Sequence, residues 1–503
     1  MGSDGASLKQ KVVKGAVWTL LERLSTQAVG FVVSMILARL LTPDDYGTVA
    51  LTAIFFAVTG SLVDCGFGDA LVQKKDADEL DFNSVFYLGL ALSLVAYAAL
   101  FFAAPWIAAF YKTPVLVPIV RVSAISFVFG AFNSIQNAEM TKKMLFNLSF
   151  RISLVTCATS AVCGLTLAFM GFGVWALVWS SLVTGFVGVV TRWLVIAWRP
   201  RLMFSFARLK PLFAFGWKMA ASGVLNQFFV NLNGLIIGRF YAKADLAFVN
   251  KGQSIPSLAM GQVNDTLGRV TFPALVQLQD DRAKLREAMR RLIQCSTFLV
   301  FPLMTGVAIC AKPILLLLFG EQWTPAAPYM MLACFSFALW PFHTINLRAI
   351  TVLGRSDVFL TLEIVKKVLS LTVMLTAYRY GVFAFMAVSA FALGPLGVII
   401  NSWPNRRLLS YTVGMQLRDV LPSALLCAAM AAAVLGVGAA FDGSAWAFAR
   451  TQSVVSLVAL LALQGVVGAA LYFALAWLFR LAPMREYLRI VSNLMQTKRS
   501  YEC

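Results

Sequence analysis

Residues 215–240 read FGWKMAASGVLNQFFVNLNGLIIGRF, and the fold turns on how this stretch is understood. It is apolar and long enough to cross a bilayer as a helix, and only a helix or a closed barrel satisfies its own backbone in hydrocarbon. Yet it carries Lys218, Asn226, Gln227, Asn231 and Asn233. At 100° per residue Lys218, Ser222, Asn226 and Asn233 fall on one face, while Gln227 and Asn231 form a second stripe. A charged side chain at a helix centre costs about 2.5–3.5 kcal/mol. The first face must therefore meet water or polar partners.

The rest of the chain has the same character. Of 503 residues, 60% are hydrophobic and 13% charged, with mean hydropathy +0.79. That composition belongs to an all-α integral membrane protein. Fourteen apolar segments can be marked: 12–41, 46–66, 84–110, 117–139, 150–170, 173–198, 211–239, 245–268, 287–310, 328–353, 359–379, 382–402, 420–441 and 451–479. The net charge of +19 would suggest nucleic acid in a soluble protein, but its distribution argues otherwise. With the N-terminus placed inside, 30 of the 42 Lys and Arg fall in inner loops and 8 in outer ones. This is the positive-inside pattern, and it predicts that both termini are cytoplasmic. The basic excess reads as topology and contact with anionic bilayer lipid. Eight cysteines, scattered singly without CxxC spacing, read as small core residues, so no metal site is expected.

Residues 27–49 align without a gap on 227–249: Gln27, Ile36, Arg39, Asp45 and Val49 meet Gln227, Ile236, Arg239, Asp245 and Val249. The offset equals six spans, so both copies keep one orientation. This predicts two pseudo-symmetric six-helix lobes with a site between them. The expected organisation is an N-terminal lobe over 1–200 and a C-terminal lobe over 201–405. Spans 13 and 14 (406–480) would be an addition, followed by a cytoplasmic amphipathic tail over 481–503. The basic, aromatic stretch 198–213 reads as an interfacial helix, and the tail as a helix lying on the inner leaflet.

Arg23, Lys218, Lys251 and Arg348 sit well inside their spans and together would cost on the order of 10 kcal/mol facing lipid. In the first span Arg23, Gln27, Gly30 and Ser34 align; in the eighth, Lys251, Ser254, Gln262 and Asp265; in the fourth, Ser126, Asn133, Gln136 and Asn137. Wet faces on several helices imply a water-filled central cavity. The alternative is that the amides bond helix to helix and that charges pair, as Glu22 beside Arg23 and Glu363 near Lys366 and Lys367 suggest. Both readings stand for the amides. Lys218 and Lys251, with no acidic neighbour a turn away, favour the cavity. The candidate substrate-binding residues are thus Arg23, Gln27, Lys218, Asn226, Asn233, Lys251, Gln262 and Arg348. Asp265 and the lone histidine, His343, are candidates for ion coupling, with helix packing the competing role for His343. A mainly cationic lining suits an anionic solute. The dipeptide Gly-Lys does not occur, which excludes a P-loop and direct use of ATP. No outer loop is large enough for glycosyl-transfer chemistry.

The runs WTLLERLSTQAVGFVVSMILARLLTPDDYGTVAL (18–51) and LVDCGFGDALVQKKDADELDFNSVFYL (62–88) are similar to the start of the Wzx-type polysaccharide flippases, in their colanic-acid-exporter-like branch. The likeness continues through APWIAAFYKTPVLVPIVR, GFGVWALV, FPALVQLQDD, FGEQWTPAAP and LGRSDVFLTLEIVKK, across residues 10–410. The resemblance implies a MATE-like, two-lobed transporter of the bacterial inner membrane, not an enzyme. It would move undecaprenyl-pyrophosphate-linked oligosaccharide repeat units across the membrane by alternating access, coupled to protons or sodium. Implied partners are the anionic lipid-linked oligosaccharide, a polysaccharide polymerase and chain-length or export proteins. Two other functions remain open: a cation-coupled small-molecule antiporter of the MATE kind, and a membrane glycan polymerase or ligase.

Overall fold

The computed structural model describes residues 3–64, 66–74, 76–442 and 454–489, with the side chains of 3–13, 69, 211–215, 218, 264–271, 273–274 and 440–442 outside the description. Among the described residues all regular secondary structure is helix, and the chain falls into two compact units, Met1–Ala247 and Phe248–Cys503. Unit 1 begins with α1 (Ser3–Leu40), α2 (Pro43–Ala50), α3 (Ala53–Asp64), α4 (Phe67–Gln73), α5 (Glu79–Phe110) and α6 (Leu116–Ser123). It continues with α7 (Ile125–Lys142), α8 (Phe146–Phe169), α9 (Val174–Val195), α10 (Phe206–Phe240) and the first turn of α11 (Lys243–Val276). Unit 2 holds the rest of α11, then α12 (Arg282–Ile309), α13 (Ala311–Phe319), α14 (Ala327–Ala338), α15 (Trp340–Val352) and α16 (Ser356–Ala377). Its last helices are α17 (Val382–Val388), α18 (Gly394–Leu408), α19 (Val413–Asp442), α20 (Val454–Leu478) and α21 (482–489).

Among the described residues twelve segments are long and apolar enough to cross a membrane. They match twelve of the fourteen apolar segments. The other two, 245–268 and 359–379, are helical as α11 and α16, but a count of fourteen spans is not reached. The reason lies in their residues. Glu363, Lys366 and Lys367 load α16 with charge, with Lys366 paired to Glu363 at 2.5 Å. Asn250, Lys251, Gln253, Ser254 and Ser257 lower the hydropathy of α11.

In unit 1, α8 packs between α1 and α9, α10 lies along α3, and α7 bridges α5 and α9. In unit 2, α12 is central, touching α14, α15 and α19, while α20 lies against α19. The internal repeat has a structural counterpart. α1 stops at Leu40 and α2 starts at Pro43; α10 stops at Phe240 and α11 starts at Lys243. In the first copy Thr42 and Asp45 form a capping box, each side chain bonding the other's backbone N–H (3.0 and 3.3 Å). The two turns meet within unit 1: Lys243 Nζ lies 3.8 Å from Asp44. A Cβ on Gly47 would fall 2.0 Å from the Lys243 carbonyl oxygen, so glycine is required for this approach.

Two amphipathic stretches differ from their sequence expectation. Helix α10 begins only at Phe206, and 196–205 is not helical. Pro200 resists helix, and α5 supplies other partners for the backbone: the N–H of Arg201 donates to Asn83 Oδ1 (2.6 Å) and that of Ser205 to Ser84 Oγ (3.1 Å). The tail's first turns, α21, dock on protein. Met484 and Tyr487 pack on the cluster of Phe298, Met430 and Tyr472, and Tyr487 OH donates to the Cys295 carbonyl (3.1 Å). Val491, Leu494 and Met495 lie outside the described residues.

Gly47→Leu should therefore lower apparent stability by about 1–3 kcal/mol, the cost of overpacking, seen as a lower melting temperature in detergent. Gly30→Ala, which meets nothing within 4 Å, should melt like the parent. Equal melting of both variants would mean that α2 is not seated against the start of α11.

Candidate functional site

The polar groups at membrane depth gather within each unit rather than along single helices. In unit 1, Glu22 on α1 accepts hydrogen bonds from Ser149 (3.0 Å) and Ser153 (2.6 Å), one turn apart on α8. On the facing helices, Arg192 of α9 donates to Asn137 Oδ1 (3.0 Å), Asn133 Oδ1 (3.1 Å) and the Gly188 carbonyl (3.1 Å). Arg192 also sits in the field of Glu22. Asn133 Nδ2 donates to the Gly185 carbonyl (3.3 Å), and Gln136 to that of Trp198 (3.3 Å). The polar stripe of α7 thus joins it to α9 and to the chain beyond. Its fourth member, Ser126, faces a cavity of about 340 Å³ among α3, α4, α5 and α7. Gly60, Gly89 and Gly130 line it, leaving room where side chains would stand, with Asp64 and Ser134 also on its wall.

Candidates on α1 and α10 take different situations. Arg23 and Gln27 are half-buried, Asn226 is exposed, and Asn233 is half-buried with an Oδ1 that is shielded from solvent and accepts no hydrogen bond. Asn231 Nδ2 donates to the Gln227 carbonyl of its own helix (2.9 Å), so the second stripe is partly self-satisfied. The side chain of Lys218 lies outside the described residues.

In unit 2, Lys251 is 7% exposed. Its ammonium stands 4.0 Å from the ring centre of Phe319 and 5.3 Å from that of Trp323, where aromatic faces attract a cation. Next to it Gly252 lets α11 touch backbone, a Cβ there falling 2.8 Å from the Ala326 oxygen. Farther along α11, Gln262 is exposed, and the side chain of Asp265 lies outside the described residues. Arg348 is half-buried on α15. His343 is held between α15 and α18, its Nδ1 accepting from Asn401 Nδ2 (3.0 Å), with Gly397 fitting beneath the ring.

A buried amide cluster near these residues joins α15, α18 and α19. Asn346 Oδ1 accepts from Asn405 Nδ2 (2.7 Å) and Gln416 Nε2 (3.0 Å). Gln416 Oε1 accepts from Asn346 Nδ2 (2.9 Å) and Ser402 (3.2 Å). All four side chains are at 0% exposure. Helical spacing could not reveal this cluster, because its members lie on three helices. Arg192 was missed for another reason: it falls near the end of a span and reads there as a loop cation.

These elements define an all-helical, multi-pass membrane protein. Its fold is shared with the solved structure of the lipid II flippase MurJ in an inward closed conformation, at a TM-score of 0.70 and 11% identity over 93% of this chain and 98% of that one. It is also shared with an inward-facing multidrug resistance MATE family transporter of the MOP superfamily, at 0.56 and 15% identity over 79% and 98%. The model of the polysaccharide biosynthesis protein family matches residues 36–328, more than half the chain, and the chain belongs to that family. Similar relatives include the lipopolysaccharide biosynthesis protein WzxC of Escherichia coli (strain K12), 26% identical over 65% of this chain and 67% of that protein. The teichuronic acid biosynthesis protein TuaB of Bacillus subtilis (strain 168) is 24% identical over 86% of this chain and 90% of its own length. The succinoglycan biosynthesis transport protein ExoT of Rhizobium meliloti (strain 1021) is 26% identical over 65% and 66%.

Asn405→Leu removes a donor from the buried cluster and leaves an Asn346 lone pair unmet. A loss of about 1 kcal/mol is expected, since hydrogen bonds between membrane helices average about 0.6 kcal/mol and an orphaned buried group costs about 1–3 kcal/mol. The triple change of Asn346, Asn405 and Gln416 to Leu should destabilise by less than the three single losses added together. Additive losses in a denaturation series would show that the three amides do not act as a unit.

Proposed function

We propose that this protein is a flippase that carries lipid-linked, anionic oligosaccharide repeat units across the bacterial inner membrane during extracellular polysaccharide biosynthesis. The match to the polysaccharide biosynthesis protein family over residues 36–328 carries this reading, and the similarity to relatives named for polysaccharide biosynthesis and transport supports it. The likeness in fold to a lipid II flippase over 93% of the chain supports a substrate whose polar head crosses while its lipid tail stays in the bilayer. The basic groups at depth supply the physical side. Lys218 and Arg23 in the first unit, and Lys251 and Arg348 in the second, would compensate phosphates through long-range attraction and charge-assisted hydrogen bonds. Alternating access driven by a proton or sodium gradient completes the proposal, with Asp265 and His343 as the coupling candidates. The distribution of Lys and Arg supports cytoplasmic termini.

Deleting the gene should stop polymer export and leave lipid-linked repeat units in the cytoplasmic leaflet, measured by leaflet-selective labelling of the sugar. Units that cross but stay unpolymerised would point instead to a polymerase. Unchanged polymer with heightened drug sensitivity would point to an antiporter. In the complemented strain, Lys218→Ala with Lys251→Ala should cut export at least tenfold while membrane abundance holds; wild-type export would remove both residues from the mechanism. A reporter that is active only outside the cytoplasm should be silent at the C-terminus and active when inserted beside Lys112.

A further inference from the structure

The second unit carries a pocket that the transport reading does not use. It has a volume of about 290 Å³ and lies between the N-terminal half of α12 and helix α21, at the low end of the size range for small-molecule sites. Arg290, Arg291, Arg485 and Arg489 line it, together with Glu287 and Glu486. Its walls are fixed: Tyr487 stacks on Phe298 with ring centres 6.1 Å apart and bonds the Cys295 carbonyl. Three of the guanidinium groups are engaged. Arg290 grips Asp419 through Nε and Nη2 at 2.6–2.9 Å, Arg291 meets Glu287 at 3.1 Å, and Arg489 stands 3.9 Å from Glu486. Among the described residues Arg485 makes no ion pair, and it is exposed. Among the described residues, four guanidinium groups set against the carboxylates of Glu287, Glu486 and Asp419 leave one positive charge.

We propose that this pocket binds the phosphate of a singly charged phosphodiester, held by the forked donors of Arg485 with Arg489 beside it. A guanidinium matches phosphate geometry with two parallel bonds. One surplus charge suits a phosphodiester monoanion, whereas a phosphomonoester dianion would leave the pocket negative. On the orientation proposed above, the pocket opens at the inner leaflet, where basic pockets between membrane helices meet anionic head groups. The exposed Leu488, on the same short helix, offers apolar contact to an acyl chain. The chemistry is that of phosphatidylglycerol.

The test is native mass spectrometry of the full-length protein in detergent, titrated with phosphatidylglycerol and, separately, with phosphatidylcholine. One retained phosphatidylglycerol is expected, bound about tenfold more tightly than phosphatidylcholine, a difference of about 1.4 kcal/mol. Arg485→Gln should bring the two lipids within twofold of each other, Arg489→Gln should weaken the preference, Arg485→Lys should keep part of it, and Arg407→Gln, outside the pocket, should keep all of it. Equal binding of the two lipids by the parent protein overturns the proposal, as does an undiminished preference in both the Arg485→Gln and Arg489→Gln variants. Displacement of phosphatidylglycerol by millimolar glycerophosphoglycerol lacking acyl chains, or by inorganic phosphate, would overturn the lipid assignment and give the pocket to a soluble phosphate.

Discussion

Hydrocarbon offers no hydrogen bonds, and the backbone and the main polar clusters of this protein answer to that constraint. The backbone meets it by being helical. The side chains meet it pairwise, inside each unit. Glu22 takes two serine hydroxyls, Arg192 takes two asparagines and a carbonyl, and Lys251 takes two aromatic faces. The magnitudes differ in what they explain. A desolvated cation over aromatic rings gains about 2 kcal/mol or more, close to the roughly 2.5–3.5 kcal/mol that a lysine costs at depth. For Lys251 the two rings offset part of the cost of burying its ammonium. Three hydrogen bonds at about 0.6 kcal/mol each recover about 1.8 kcal/mol for Arg192, short of the cost at a helix centre. Its place near the end of α9 lowers that cost, and the field of Glu22 supplies more.

The repeat shows form conserved while chemistry diverges. Helix ends and restarts recur at an offset of 200 residues, Leu40 with Phe240 and Pro43 with Lys243. The capping box of the first copy has no equivalent in the second, where Ala242 stands in place of Thr42. The second copy instead offers Lys243 to Asp44 of the first. Once the break between helices is set by packing, as the close approach at Gly47 requires, its capping chemistry is free to change.

The fold was legible because hydropathy and charge placement are local properties. Twelve of the apolar segments reappear as candidate spans, and the two that fall short do so through residues visible in the chain, such as Lys366 and Lys367. The site was legible only as faces. A helical wheel groups Lys251 with Gln262, yet one is buried under Phe319 and Trp323 and the other is exposed. Eleven residues along a helix amount to about 16 Å, so a shared face does not mean shared neighbours. The same limit explains 196–205 and α21. Both have amphipathic composition, but the decisive partners, Asn83 and Ser84 for one and Cys295 and Phe298 for the other, are remote in sequence.

The C-terminal pair of spans illustrates how much such remote contacts decide. α19 and α20 follow the residues that the family model matches, and by composition alone they look like an appendage. Their packing is that of an integral part of the second unit. Tyr472 OH donates to the Phe298 carbonyl at 2.9 Å, which at a proline-containing helix is a backbone group available for capture, since Pro302 has no N–H to offer the oxygen four residues before it. Gly468 lets α20 close on Val434 and Met430 of α19, a Cβ there falling 2.9 Å from Val434. Arg290 of α12 and Tyr411 both bind Asp419 at the start of α19. A side chain thus takes up an oxygen left by Pro302, a glycine sets the helix spacing, and an ion pair pins the end. These three separate devices tie α19 and α20 to α12 and to each other, within the second unit.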